Sequence, residues 1–232
     1  MMGRLGALLV HIYTASGVLL AFAATLEVCS ATPDPRVVFL LLAAAVLVDA
    51  TDGPLARWAE VKRRLPSIDG RTIDDIVDNL TFTFVPLLLV WRMGWLPDPA
   101  LLWIAPALLA SLFGFANTAA KDEAGGFFLG FPSYWNVVAF YAGFAHRLYG
   151  PWVNAPLLLL LTLLTVLPAR FLYPNQAPGP WRTPLILGAL LWLGMMLWML
   201  MDYPQAPSWM VWLSLLYPTF YFWLSYRLAV RR

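Results

Sequence analysis

Residues 39–57 read FLLLAAAVLVDATDGPLAR. Phe39 to Val48 is a run that any bilayer would accept, and it leads directly into two aspartates, a glycine and an arginine. A transmembrane helix needs about 20 mostly apolar residues. With the apolar residues that precede Phe39, this stretch is long enough, and its charged end falls where such a helix leaves the hydrocarbon. Three more aspartates follow in GRTIDDIVDN, residues 70–79.

Composition sets the class. The chain has 232 residues, 61% hydrophobic and 12% charged, with a mean hydropathy of +0.70. A soluble domain is typically about 45–50% apolar and about 25% charged. The departure is toward a membrane protein on both counts. The net charge of +2 is too small to argue for a nucleic-acid partner. The single cysteine, Cys29, excludes an internal disulfide and is expected to pack as a small apolar residue. Two histidines, His11 and His146, are too few and too far apart in sequence for a zinc site.

Eight segments have the length and apolarity to span, at roughly 5–27, 36–58, 73–95, 99–119, 133–149, 152–173, 183–201 and 208–229. The first reads as a retained transmembrane helix rather than a cleaved signal, because its apolar run is long and further spans follow. Proline-containing loops (ATPDP, GWLPDP, YGPW, YPNQAPGPW, DYPQAP) separate the segments and mark helix ends. The expected fold is therefore an all-α polytopic membrane helix bundle forming one integral-membrane domain over residues 1–232. With all eight spanning and a cytoplasmic N-terminus, twelve of the fifteen Lys and Arg residues fall on the cytoplasmic side. The positive-inside rule then places both termini and the aspartate-rich stretch in the cytoplasm.

Asp49 and Asp52 are three residues apart, and Asp74 and Asp78 are four apart, so each pair shares a helix face. Asp75 is turned away from its pair by about a quarter turn. Two consecutive helices joined by a short cytoplasmic stretch can thus aim four carboxylates at one spot. Four such groups repel one another and lose hydration unless cations fill the cluster. All-oxygen ligands select Mg²⁺, Mn²⁺ or Ca²⁺. Gly53 and Ala56 on the same face leave space for a ligand, and Arg57 adds a forked donor suited to phosphate. Carboxylates, a divalent cation and an arginine together point to phosphoryl transfer. An ion or solute transporter is the alternative from another class. It predicts acidic residues spread through the bilayer depth and an internal repeat, and the sequence has neither.

Asp49, Asp52, Gly53, Ala56, Arg57, Gly70, Asp74 and Asp78 match every fixed position of D-x-x-D-G-x-x-A-R, a spacer, then G-x-x-x-D-x-x-x-D. This resembles the signature of the CDP-alcohol phosphotransferases. The spacer holds twelve residues, longer than in most of that family, and resembles the bacterial phosphatidylcholine synthase branch. HIYTASG (11–17), DNLTFTFVP (78–86), FFLGFPSYWNVVAFY (127–141) and LPARFLYP (167–174) are similar to the same branch. One departure is KDEAGGFF at 121–128, where the branch has a KTEDHFF-like stretch.

The resemblance implies transfer of the phosphatidyl group of CDP-diacylglycerol to choline with release of CMP. It implies two Mn²⁺ or Mg²⁺ ions held by Asp49, Asp52, Asp74 and Asp78, with Asp78 as general base. Asp52, Gly53, Ala56, Arg57 and Gly70 would bind CDP and its phosphates. Serine, inositol or glycerol 3-phosphate stand as alternative acceptors. Choline is recognised through aromatic faces and carboxylates, so the candidates for the acceptor site are Tyr134, Trp135, Glu123, Asn136 and His11. The resemblance also implies a homodimer in the bacterial inner membrane, with membrane lipids around it and the active site on the cytoplasmic face.

Overall fold

The structure is a computed structural model that describes residues 3–122, 125–173, 177 and 179–230. Helices dominate it. Three of them, Arg4–Val28, Pro35–Trp58 and Gly179–Met201, are long and apolar enough to cross a membrane among the described residues. Leu101–Ala116 and Pro151–Val166 are shorter apolar helices. The chain divides into two compact units, residues 1–93 with 135–139, and residues 94–134 with 140–232.

The first unit begins with α1 (Arg4–Ala15) and α2 (Gly17–Val28), which follow one another with only Ser16 between them. Cys29 ends α2 and is exposed, not packed as expected. Helix α3 (Pro35–Trp58) starts where the sequence demands. Asp34 caps it by accepting the Arg36 backbone N–H at 2.9 Å, and Pro35 occupies the first turn. The Arg36 guanidinium holds the same carboxylate, at 2.7 Å from Nη2, and keeps Asp34 below the usual carboxylate range. Pro54 lies inside α3 and cannot donate to the Ala50 carbonyl one turn back. Glu60, with φ of 50°, breaks the chain into the short α4 (Val61–Arg64). Its carboxylate binds both Arg63 and Arg64.

Helix α5 (Gly70–Asp78) opens on a second aspartate cap. Asp69 accepts the Arg71 backbone N–H at 3.0 Å and the Thr72 hydroxyl at 2.9 Å. The helix then passes through a π turn, Asn79–Phe84, into α6 (Val85–Arg92). Such π turns are rare and frequent at functional sites. Helix α1 is held against the signature helices by a small core. Ala7 and Val10 are buried with Ala59 and Val61, and Leu55, Ala56 and Leu65 pack on them.

The second unit holds α7 (Leu101–Ala116), most of α8 (Trp135–Tyr149), α9 (Asn154–Val166), α10 (Arg182–Met201), α11 (Ser208–Ser214) and α12 (Leu216–Ala229). Tyr203 anchors its core. The hydroxyl donates to the Phe140 carbonyl at 2.9 Å, and the ring packs against Phe140 and Phe144. Asn154 is fully buried and donates to the carbonyls of Trp95 and Ala142.

The all-α expectation agrees with this helical structure, and this unit adds one small sheet to it. β1 (Lys121–Asp122), β2 (Phe127–Leu129) and β3 (Arg170–Leu172) form a three-stranded antiparallel sheet, with Phe128 opposite Phe171. The sixth expected segment, 152–173, therefore ends early. Pro168 forces Leu167 into extended backbone (φ −76°, ψ 147°), so α9 stops at Val166. The freed chain pairs with β2 and is fastened to α12. Ser225 Oγ accepts the Leu172 N–H, and Tyr221 Oη donates to the Leu172 carbonyl. Gly130, with φ of +86°, follows β2, and any Cβ there would collide with the Thr165 carbonyl.

Candidate metal and substrate site

The site lies within the first unit and is built by α3 and α5. Asp49 comes from the second half of α3, after the apolar run, and Asp74 and Asp78 from successive turns of α5. Their carboxylate oxygens can all lie within 4.8 Å of one another, and each residue is half-buried. The spacing argument is met for this trio. Asp52, expected as a fourth member, is outside that group and only 7% exposed. Asp75 is turned elsewhere, as the helical period requires, and its carboxylate faces Arg71 Nε at 3.5 Å.

Three carboxylates without thiolate or imidazole form an oxygen donor set, which suits a hard divalent cation. The residues present therefore fit Mg²⁺ or Mn²⁺. The same carboxylates packed together without a cation would repel.

The surroundings are partly those expected. Among the described residues, a Cβ on Gly53 would meet only Arg57 Nη1, at 3.5 Å, so the surface of α3 is open there. Arg57 is exposed. Ala56 packs against the Ala7–Val10 core, which gives its small size a structural role as well. Gly70 is a point of close approach: a Cβ there would come within 2.9 Å of His11 Cε1. Tyr13 Oη lies 2.7 Å from Thr51 Oγ1, between Asp49 and Asp52 in the sequence. The π turn directly after Asp78 and the double hold of α1 on α3 and α5 were not read from the sequence. The HIYT stretch alone carried a hint of the second.

The acceptor candidates are more scattered. Trp135 is fully buried, so it is no interfacial belt residue. Asn136 accepts the Val137 N–H through its own side chain at the start of α8. Tyr134 belongs to the second unit and is half-buried, its ring edge-on to Phe131 at 6.2 Å. Ser133, immediately before it, has φ of 54°, a strained conformation for a non-glycine residue, and its hydroxyl donates to Ser111 Oγ. No sequence signal marked Ser133 as strained. Glu123 lies outside the described residues.

Comparison with known proteins finds relatives that share one name. The chain is 42% identical to a phosphatidylcholine synthase of Pseudomonas aeruginosa, over 71% of this chain and 68% of that protein. It is 34% identical to a phosphatidylcholine synthase of Rhizobium meliloti, over 87% of this chain and 82% of the relative. A phosphatidylcholine synthase of Legionella pneumophila is 32% identical, over 94% and 86%. No protein-family model matches the chain, and no solved structure matches it significantly. An apolar helical protein with a carboxylate cluster that follows the apolar run of a long helix is thereby placed among membrane transferases of phospholipid synthesis. The chain belongs to the phosphatidylcholine synthase family.

Proposed function

We propose that the protein transfers the phosphatidyl group of CDP-diacylglycerol to choline, releasing CMP, in the cytoplasmic membrane of a bacterium. The observation that carries this is the convergence of Asp49, Asp74 and Asp78 from two separate helices in a chain of this family. The chain acts as a single integral-membrane domain of eight spans. Both termini and the site face the cytoplasm, following the basic-residue bias.

The choline hydroxyl oxygen attacks the phosphorus that carries the diacylglycerol, and the bond from that phosphorus to the CMP oxygen breaks. Asp78 takes the hydroxyl proton. Asp49, Asp74 and Asp78, with Asp52 beside Asp49 on α3, would hold two Mg²⁺ or Mn²⁺ ions. When bound, these supply positive charge against the pyrophosphate and the departing CMP. Arg57 binds a phosphate oxygen in fork geometry. Gly53 keeps the face of α3 open for the nucleotide. Trp135 and Asn136, acceptor candidates that belong to the same unit as the aspartates, shape the choline side.

The choice of acceptor is supported by how the basic residues are used. A phosphorylated alcohol such as glycerol 3-phosphate needs cations available near the site. Arg63 and Arg64 are paired with Glu60, and Arg71 with Asp75. That favours an acceptor with no negative charge of its own.

The test is an acceptor panel on the purified protein. With CDP-diacylglycerol and Mn²⁺ or Mg²⁺, labelled choline enters lipid, and EDTA abolishes the transfer. Transfer to serine, inositol or glycerol 3-phosphate with none to choline would overturn the assignment.

A further inference from the structure

His11 is 5% exposed and rests on α5. A Cβ at residue 70 would meet its Cε1 at 2.9 Å and its Nδ1 at 3.3 Å. Gly70, Asp74 and Asp78 succeed one another at four-residue intervals, so they form one stripe of α5. The imidazole is thus packed on the stripe that supplies two of the three clustered carboxylates, about 6 Å of helix rise from Asp74. Its Nε2 is buried and has no hydrogen-bond partner among the described residues. Buried polar atoms in native proteins are paired, and the exceptions gather where a ligand, an ion or a water completes them. On the other side of α1, the Tyr13–Thr51 hydrogen bond ties the same segment to α3. The HIYT stretch therefore touches both helices of the site and carries one unspent polar nitrogen.

We propose that His11 is a substrate-binding residue, whose Nε2–H donates a hydrogen bond to a non-bridging phosphate oxygen of the CDP-linked substrate. This rests on reading the aspartate cluster as a phosphoryl-transfer site. The carboxylates around the cluster are acceptors only, and they cannot bind phosphate directly. An imidazole N–H beside them can donate to the phosphate oxygens that the carboxylates repel. The acceptor alcohol is the other possible claimant for Nε2, and kinetics separates the two. Its hydroxyl proton passes to Asp78, which leaves His11 to the phosphate.

The experiment uses the full chain in detergent, with CDP as soluble probe in the presence of MnCl₂. Wild type, His11→Leu and His11→Gln are compared for CDP affinity, for melting temperature without ligand, and for KM toward each substrate. Leu fills much of the ring volume without a donor, and Gln can restore an N–H near the Nε2 position. The expected result is a roughly tenfold loss of CDP affinity in His11→Leu and recovery of most of it in His11→Gln, as for loss and return of one hydrogen bond to a charged group. KM for CDP-diacylglycerol rises in parallel while KM for choline stays constant. Without ligand, His11→Leu melts no lower than wild type, because it removes an unpaired buried nitrogen. Unchanged CDP affinity in His11→Leu overturns the role of His11 alone, as does a change confined to KM for choline. Failure of the wild type to bind CDP with Mn²⁺ or Mg²⁺ overturns the reading of the cluster itself. If His11→Leu does not fold, His11→Gln and His11→Asn decide, since only Gln reaches the Nε2 position.

Discussion

Tyr13 Oη and Thr51 Oγ1 stand 2.7 Å apart, joining the first helix to the turn of α3 that lies between Asp49 and Asp52. Thr51 Oγ1 also donates to the Leu47 carbonyl at 2.7 Å, so the tyrosine meets a hydroxyl that is already fixed in direction. Tyr13→Phe removes this link and leaves the ring. A hydrogen bond of this kind contributes about 1 kcal/mol. The melting temperature should fall by a few degrees, and kcat should fall modestly because Asp49 is less firmly held. Full stability and full activity in the variant would show that α1 does not position α3.

The two neighbouring aspartates of α5 should behave differently. Asp74 belongs to the carboxylate trio, whereas Asp75 faces Arg71. Asp74→Asn is expected to lower kcat on the order of 100-fold or more, the scale of losing one preorganised electrostatic group. Asp75→Asn weakens a part-exposed ion pair that lies off the trio, and activity should stay within about threefold. Transfer of labelled choline by each variant at saturating Mn²⁺ provides the comparison, and equal losses would contradict the facing of α5.

Gly70 and His11 should be coupled. Gly70→Ala places a methyl group 2.9 Å from His11 Cε1, so the ring must shift. The single variant should lose both stability and CDP-diacylglycerol turnover. In the double variant with His11→Ala the clash vanishes, and stability should recover part of the loss. A double-mutant cycle of melting temperatures measures this. Strict additivity would mean that the two residues do not meet.

Two glycines in the second unit test packing independently of chemistry. A Cβ on Gly143 would collide with the Tyr203 hydroxyl and crowd Trp95, so Gly143→Ala should destabilise by about 1–3 kcal/mol. Gly194, inside α10, has nothing within 4 Å of its Cβ position among the described residues. Gly194→Ala should raise stability by about 0.5–1 kcal/mol through helix propensity alone. Thermal melts in one detergent give both signs.

Acid should loosen the start of α5. The Thr72 hydroxyl, then the Arg71 N–H, hold the Asp69 carboxylate below its usual range. A depressed folded value means that the cap stabilises fully above about pH 4, the unfolded value, and is lost as pH falls through the folded one. Asn also caps helices but does not titrate. Asp69→Asn should therefore match wild type at neutral pH and lose less stability between about pH 4 and pH 2. Parallel acid limbs would exclude Asp69 from the acid response.

The sequence by itself determined the class, the mostly helical character and which aspartates share a face of one helix. Apolar runs of spanning length, proline loops and the three- and four-residue intervals are local properties, and local periodicity fixes which side chains share a face. It also separated Asp75 from Asp74, since a quarter turn of helix follows from counting alone. Only the tertiary structure decided which carboxylates meet. Asp49 joins Asp74 and Asp78, and Asp52 stays outside the trio, because their approach depends on how α3 and α5 pack and not on spacing within either helix. The same holds for the grip of His11 and Tyr13 on two helices, for the π turn after Asp78, and for the small sheet that ends α9. Each depends on residues far apart in the chain, or on a hydrogen-bond pattern with more than one local solution, and packing makes the choice.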